Sequence, residues 1–177
     1  MGSLQKTLPV KLFLSIFTRE THLFEIIQHK LISKFGPVDF SSEIIDFNHT
    51  QYYEKEFGIN LKRNFISFRN LIKADNLWKI KIITNKLESK FSKENKRRIN
   101  LDPGYITQAS LVLASTKNYS HRIYIKKGIY QEVSLIFKDK TFTPLPWTYP
   151  DYQTKECIDI LIKMRDILNL QLKSNTK

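Results

Sequence analysis

The stretch His121-Arg122-Ile123-Tyr124-Ile125-Lys126-Lys127-Gly128-Ile129-Tyr130-Gln131-Glu132-Val133 decides how the second half of the chain folds. Two runs rich in isoleucine and tyrosine flank a short polar segment that ends in glycine, the pattern of a β-hairpin. A three-residue loop, Lys126-Lys127-Gly128, with Gly128 in the left-handed region, sets Ile125 opposite Ile129, Ile123 opposite Gln131 and His121 opposite Val133. The other face then carries Tyr124 opposite Tyr130 and Arg122 opposite Glu132. A two-residue loop would scatter isoleucine and lysine over both faces, against the need for one buried face. In the three-residue register His121 turns toward the core and Arg122 away from it, because neighbours on a strand point to opposite faces.

Downstream, Asp139-Lys140 reads as a second tight turn into an edge strand over Thr141 to Thr143, where Pro144 ends pairing. Pro144, Pro146 and Pro150 stiffen a loop carrying Trp147, Tyr149 and Tyr152. Thr154 can cap a last helix whose inner stripe is Cys157, Ile160, Leu161, Met164, Leu168 and Leu172. Upstream, Val10 to Phe17 is an apolar run short enough for a buried strand. Thr18 can cap a helix with Leu23, Phe24, Ile27, Leu31 and Phe35 on one face, stopped by Gly36-Pro37. Glu43 to Phe47 and Arg63 to Phe68 read as strands, with a helical turn or loop at Tyr52 to Glu56 between them. Leu77, Ile80, Ile83, Leu87 and Phe91 repeat at helical spacing, Arg97 to Leu101 is a short strand, and Ala109 to Ala114 is expected as a short helix, though its apolar run could also be a strand. Hairpins dominate the second half, so the expected class is α+β: a mainly antiparallel sheet with helices packed on one face. In the first half a ferredoxin-like, split β-α-β core is the candidate arrangement.

At 177 residues, without repeats or a low-complexity linker, the chain is expected to form a single domain over residues 1–177, with residues 1–8 and 173–177 as flexible ends. The lone cysteine, Cys157, makes no internal disulfide, and the first nine residues lack the apolar core of a signal peptide. No apolar run approaches the roughly 20 residues that span a bilayer. A cytoplasmic location and no membrane partner are the expectation. The formal charge of +12 would suit nucleic acid, yet lysine is distributed over loops and tail. Only Lys93, Lys96, Arg97 and Arg98 form a dense cluster, which reads either as a solvated loop entering a strand or as a phosphate-contacting patch.

Several residues carry candidate chemistry, each with a plainer reading beside it. Asp102-Pro103-Gly104 suits a type II turn; a catalytic Asp102 would need partners such as His121, Glu132 or Asp151. Ser120, His121 and Arg122 place a hydroxyl, an imidazole and a guanidinium in consecutive positions, the groups used on phosphates and carboxylates. Arg122 opposite Glu132 is equally an ordinary cross-strand ion pair. His22, Glu25 and His29 share a helix face, but at a spacing unlike that of zinc helices, so no metal and no cofactor are expected. Cys157, on its helix's inner stripe, reads as a core residue. Trp147, Tyr149 and Tyr152 could stack on a base or cover a core edge, and no Lys or Arg is interleaved with them.

Asn100-Leu101-Asp102-Pro103-Gly104-Tyr105, Ser120-His121-Arg122-Ile123-Tyr124, Gly128-Ile129-Tyr130 and Trp147-Thr148-Tyr149-Pro150-Asp151-Tyr152 resemble a bacterial family catalogued as domain of unknown function 4416. Phe35-Gly36-Pro37 and Tyr52-Tyr53-Glu54 extend the likeness from Pro9 to the last helix. The resemblance implies no particular chemistry, although some members carry the label GTP-binding protein. A P-loop requires G-x-x-x-x-G-K-S/T after a strand, and none of the five glycines is so placed. Asn85-Lys86-Leu87-Glu88 looks like a guanine-reading motif, but Leu87 belongs to a core stripe.

The leading expectation is a binding domain for an anionic, nucleotide-like ligand, not a P-loop GTPase. Its ligand-binding surface is expected from Tyr105, Ser120, Arg122, Tyr124, Tyr130 and Asp151, with Asp102 and Glu132 beside them. The alternatives are a phosphoester hydrolase using Asp102, His121 and Glu132, and a protein-interaction module with an apolar patch around Trp147.

Overall fold

The computed structural model describes residues 2–3, 7–47, 54–94 and 96–174. In chain order they form β1 (Lys11–Thr18), α1 (His22–Phe35), β2 (Val38–Ser41), β3 (Ile45–Asp46), α2 (Glu54–Phe57), β4 (Lys62–Phe68), α3 (Leu77–Phe91), β5 (Ile99–Ile106), β6 (Ser110–Ser115), β7 (Ile123–Lys126), β8 (Ile129–Lys138), β9 (Thr141–Pro144) and α4 (Lys155–Ser174). Short 3-10 turns, Ala74–Asn76 and Pro150–Gln153, lead into α3 and α4. Tyr52 and Tyr53 lie outside the described residues, and Lys173 and Ser174, expected as flexible end, belong to α4.

The fold is α+β, built on one antiparallel sheet of nine strands. Along the order β2-β4-β1-β5 the units β1-α1-β2 and β4-α3-β5 interleave, which is the split β-α-β, ferredoxin-like arrangement. β6, β8 and β7 continue the sheet beyond β5, while β3 pairs with β4 and β9 with β8. Every residue of β1 is buried, because the strand is central and both its faces are covered. Leu12, Leu14 and Ile16 meet the stripes of α1 and α3. Phe13, pointing the other way, meets α4 through Cys157, Ile160, Leu161, Met164 and Leu168. The expectation of helices on one face therefore holds for α1 and α3, and α4 covers the opposite face. Lys11 lies fully buried on that second face, where it donates to Asp39, to Phe68 O (2.9 Å) and to Gln171 Oε1 (2.9 Å), tying β1, β2, β4 and α4 together. No helix among the described residues is long and apolar enough to cross a membrane.

Four local expectations change. Thr18 does not cap α1; its Oγ1 accepts from the Glu20 N–H at 3.0 Å and donates to Arg98 O. Ala109 to Ala114 falls in strand β6, held between β5 and β8, where pairing on both edges overrides a weak helical pattern. Asp102-Pro103-Gly104 is no turn; it lies inside β5, with Asp102 opposite Ser15 and Pro103 opposite Leu14 of β1. Pairing with β6 stops at Gly104, next to the proline that has no N–H to give.

The hairpin is the fourth change. Ile123↔Gln131 and Tyr124↔Tyr130 pair as expected, but Lys126, not Ile125, faces Ile129. The loop is Lys127-Gly128 alone, with φ of 51° and 75°, the sign pattern of a type I′ turn. Ile125 is the extra residue of a bulge, which reconciles a two-residue turn with the expected register further out. Residues before Ile123 are outside the strand, and the Arg122 N–H bonds Tyr119 O at 2.9 Å to close a turn. Ile129 is buried, whereas Ile123, on the outermost strand, is 68% exposed.

Candidate functional site

His121 and Arg122 sit in that turn, so strand alternation does not separate them. Both bond the same carboxylate: Arg122 Nε donates to Glu132 Oε2 at 2.6 Å, and His121 Nε2 lies 3.0 Å from the same atom. The guanidinium also donates to Ser115 Oγ (2.9 Å), Lys117 O (3.1 Å) and Tyr149 Oη (2.8 Å). A β8 bulge at Ser134 brings its hydroxyl to Glu132 Oε1 at 3.0 Å. The Arg122 and Glu132 side chains are 3% and 1% exposed, so the pair is buried and its hydrogen-bonding capacity is nearly filled. Trp147 covers it: its Nε1 donates to Val133 O (2.8 Å), and its ring stacks on His121 at 5.2 Å, with Tyr119 on the far side at 6.0 Å. Arg122 is thereby a fastener of the proline-aromatic loop, with its fork turned inward.

A second polar cluster lies on the α4 face, at the end of β1 nearest the start of α4. Asp102 bonds Lys81 Nζ (3.0 Å) and the Asn100 amide (2.7 Å). Lys81 comes from α3 on the other face and reaches Asp102 past the end of the β5–β6 pairing. Burial alone would raise the Asp102 carboxyl; the Lys81 charge and the two hydrogen bonds outweigh it and hold the group below the usual carboxylate range. Its side chain is still 34% exposed. α3 also serves the unpaired side of β5, with Lys81 donating to Leu101 O (3.3 Å) and Glu88 Oε1 accepting from the Leu101 N–H (2.6 Å). Arg97 extends the network, donating to Asn100 Oδ1 (2.8 Å) and gripping both oxygens of Glu56 (2.6 and 2.7 Å).

Arg63 of β4 completes the cluster. Its Nη1 bonds the Asp151 carboxylate, and its guanidinium carbon lies 4.1 Å from the Phe47 ring centre and 5.4 Å from that of Tyr152. The pair is almost wholly buried. Arg63 Nε, Tyr152 Oη and Ser15 Oγ are buried with no hydrogen-bond partner among the described residues. Burial keeps the Tyr152 phenol protonated, far above its ordinary value, so it remains a donor.

The residues expected to form one surface are thus divided. Arg122, Glu132 and His121 form the fastener; Asp102 and Asp151 belong to the Arg63 cluster. No hydrogen bond joins Asp102 to His121 or Glu132 among the described residues. Tyr105 points to the α3 face, packed with Val112 and Ile129. Ser120 is exposed in the turn, and Tyr124 makes an edge contact with Tyr130 at 5.5 Å on the outer strand. Of the basic cluster, Arg97 is paired with Glu56 and Arg98 with Glu20, both through bidentate contacts. His22 and His29 are exposed. Leu87 and Glu88 are buried, out of reach of a base. Cys157 is buried at the Arg63 cluster, and burial pushes its thiol up to about 12. Native protein is therefore expected to resist iodoacetamide at pH 8 and to react fully in denaturant; equal rates in both would show the thiol to be accessible.

Sequence reading missed Arg63, Ser15, Lys81 and Asn100. A signal existed for two of them: Ser15 interrupts an otherwise apolar central run, and Arg63 sits in an apolar strand, positions where a polar side chain is buried by its neighbours. Lys81 gave none, since a lysine beside a helix stripe is ordinarily solvated.

The family model described as Domain of unknown function (DUF4416) matches residues 8–168. Comparison with curated proteins found no match, and comparison with solved structures found none.

Proposed function

The chain belongs to the family of the domain of unknown function 4416, and on that footing we propose that it is a non-catalytic binding domain for a small anionic, nucleotide-like ligand, held at the Arg63 cluster. One observation carries this reading: Ser15 Oγ, Arg63 Nε and Tyr152 Oη are each buried without a hydrogen-bond partner among the described residues. A buried polar group without a partner costs roughly 1–3 kcal/mol, so the guanidinium Nε and the two hydroxyls are an expense that a ligand's acceptor oxygens would offset. Asp102, whose side chain is partly exposed, would accept from a ribose hydroxyl or a base. Arg63 and Lys81 are each matched by a carboxylate, so the cluster does not reject an anion, and the chain's charge of +12 favours its approach. A phosphoester hydrolase built on Asp102, His121 and Glu132 has less support, because the hydrogen bonds of Asp102 are separate from those of the other two.

The test is a Ser15→Ala, Tyr152→Phe double variant, with melting temperature and calorimetric binding measured against a panel of nucleoside mono-, di- and triphosphates. Both changes delete only unsatisfied hydroxyls, so the ligand-free variant is expected to be as stable as the parent or more so. Affinity for whichever nucleotide stabilises the parent is expected to fall roughly 10–100-fold, the worth of hydrogen bonds to a charged group. The reading fails if no nucleotide shifts the parent, or if the variant binds as tightly.

A further inference from the structure

Trp78, on the first turn of α3, carries three lysine ammonium groups around one ring. Lys79 Nζ lies 5.6 Å from the ring centre, Lys126 Nζ 5.3 Å and Lys127 Nζ 5.6 Å. The first is its helix neighbour and the other two come from the β7–β8 hairpin tip, so two elements converge on the ring. The inner side of Trp78 packs on the cluster of Tyr105, Val112 and Ile129, while the ring is only half-buried and all three lysines are exposed. None of the three lysines makes an ion pair or a side-chain hydrogen bond among the described residues. Arg97 and Arg98, in the densest basic stretch of the sequence, are by contrast bound to Glu56 and Glu20.

Three like charges around one ring repel one another over distances on the order of a Debye length at 0.1 M salt, about 10 Å, or less. The ring offsets part of that repulsion by its cation–π attraction, and it has only two faces for three cations. A ligand that places a flat base on the indole and phosphates beside it would satisfy both components. The base would displace an ammonium from the ring, and the displaced ammonium would meet a phosphate oxygen. Aromatic and basic side chains are interleaved here, as they are not around Trp147.

We propose that Trp78, Lys79, Lys126 and Lys127 form a binding surface for single-stranded nucleic acid, separate from the Arg63 cluster and independent of what that cluster holds. A single strand is the form that suits it, because its bases are free to stack on the open part of a half-buried ring. A duplex would offer phosphates only.

The test is fluorescence anisotropy of end-labelled twelve-residue oligouridylate and oligothymidylate, and of a duplex of the same length, between 50 and 200 mM salt. The variants are Trp78→Ala and the triple Lys79→Ala, Lys126→Ala, Lys127→Ala, each checked by its circular dichroism melting curve. The parent is expected to bind single strands more tightly than duplex. The triple variant is expected to lose about two units of the slope of log affinity against log salt, at roughly 0.7 per phosphate contact. Trp78→Ala is expected to weaken single-strand binding by roughly 5–100-fold, the range for one base–aromatic stack. Because the lysines are exposed, the triple variant folds, so it decides the matter even if Trp78→Ala does not. The proposal is overturned if the parent does not bind single strands, if the triple variant keeps the parental affinity and slope, or if duplex binds as well as single strand.

Discussion

Arg122→Ala is expected to lower stability by about 3–5 kcal/mol, the range for removing one partner of a buried ion pair. The carboxylate of Glu132 would stay behind at 1% exposure, with His121 and Ser134 as its remaining partners. Ser115 Oγ, Lys117 O and Tyr149 Oη would lose a donor at the same time, and the loop carrying Trp147 would lose its anchor. In a 177-residue chain the loss corresponds to a fall in melting temperature of roughly 6–20 °C. Pairing Arg122→Met with Glu132→Gln is expected to recover part of it, since the uncompensated charge goes as well. A denaturant curve showing less than about 1 kcal/mol for Arg122→Ala would mean that the pair is hydrated and weak, as surface pairs are.

Gly104→Ala is expected to be at least as damaging, for a different reason. The backbone there is extended and any residue could adopt it, so conformational freedom is not the issue. A methyl group built on Gly104 would stand 2.5 Å from Val112 O and 2.6 Å from the Phe13 ring. Val112 is fixed opposite Tyr105 in the β5–β6 pairing, and Phe13 is fully buried under α4, so neither can move alone. Overpacking of a close-packed core ordinarily costs about 1–3 kcal/mol, and a clash with backbone belongs at the upper end or beyond, about 3 kcal/mol or more. Gly128→Ala at the hairpin tip is the control: its Cβ would meet nothing within 4 Å, and only the positive φ of 75° opposes it. If both variants melted alike, the space argument for Gly104 would be wrong.

Helices and the outer hairpin pairs were legible because they rest on local periodicity. The stripes of α1, α3 and α4 are spacings within one segment, and Tyr124↔Tyr130 lies within a few residues of the glycine turn that joins its two strands. The Asp102-Pro103-Gly104 segment was illegible for the converse reason. Its residues have strong turn chemistry, but the glycine answers to Phe13 in the first strand, and the proline to the point where β6 leaves the strand. The hairpin loop failed in a third way. Register and turn type conflicted by one residue, and a bulge at Ile125 resolved a conflict that looked like a choice. That error carried into the site: with Arg122 and His121 assigned to a strand, alternation parted two groups that share one carboxylate. Asp151 was found as a candidate but its partner was not, since nothing in the sequence near Asp151 points to Arg63.

Leu101 offers a last consequence. Before Gly104 the strand β5 has a strand neighbour on one side only, so a row of unpaired amide and carbonyl groups would otherwise face outward in the middle of the sheet. Such a row is a template onto which an extended segment of another chain can add, the first step of aggregation. Lys81 and Glu88 occupy both backbone groups of Leu101, one donating and one accepting, as a paired strand would. Two side chains of a helix thus act as a guard against intermolecular strand addition, and loosening of α3 would make that short stretch adhesive before the rest of the sheet opened.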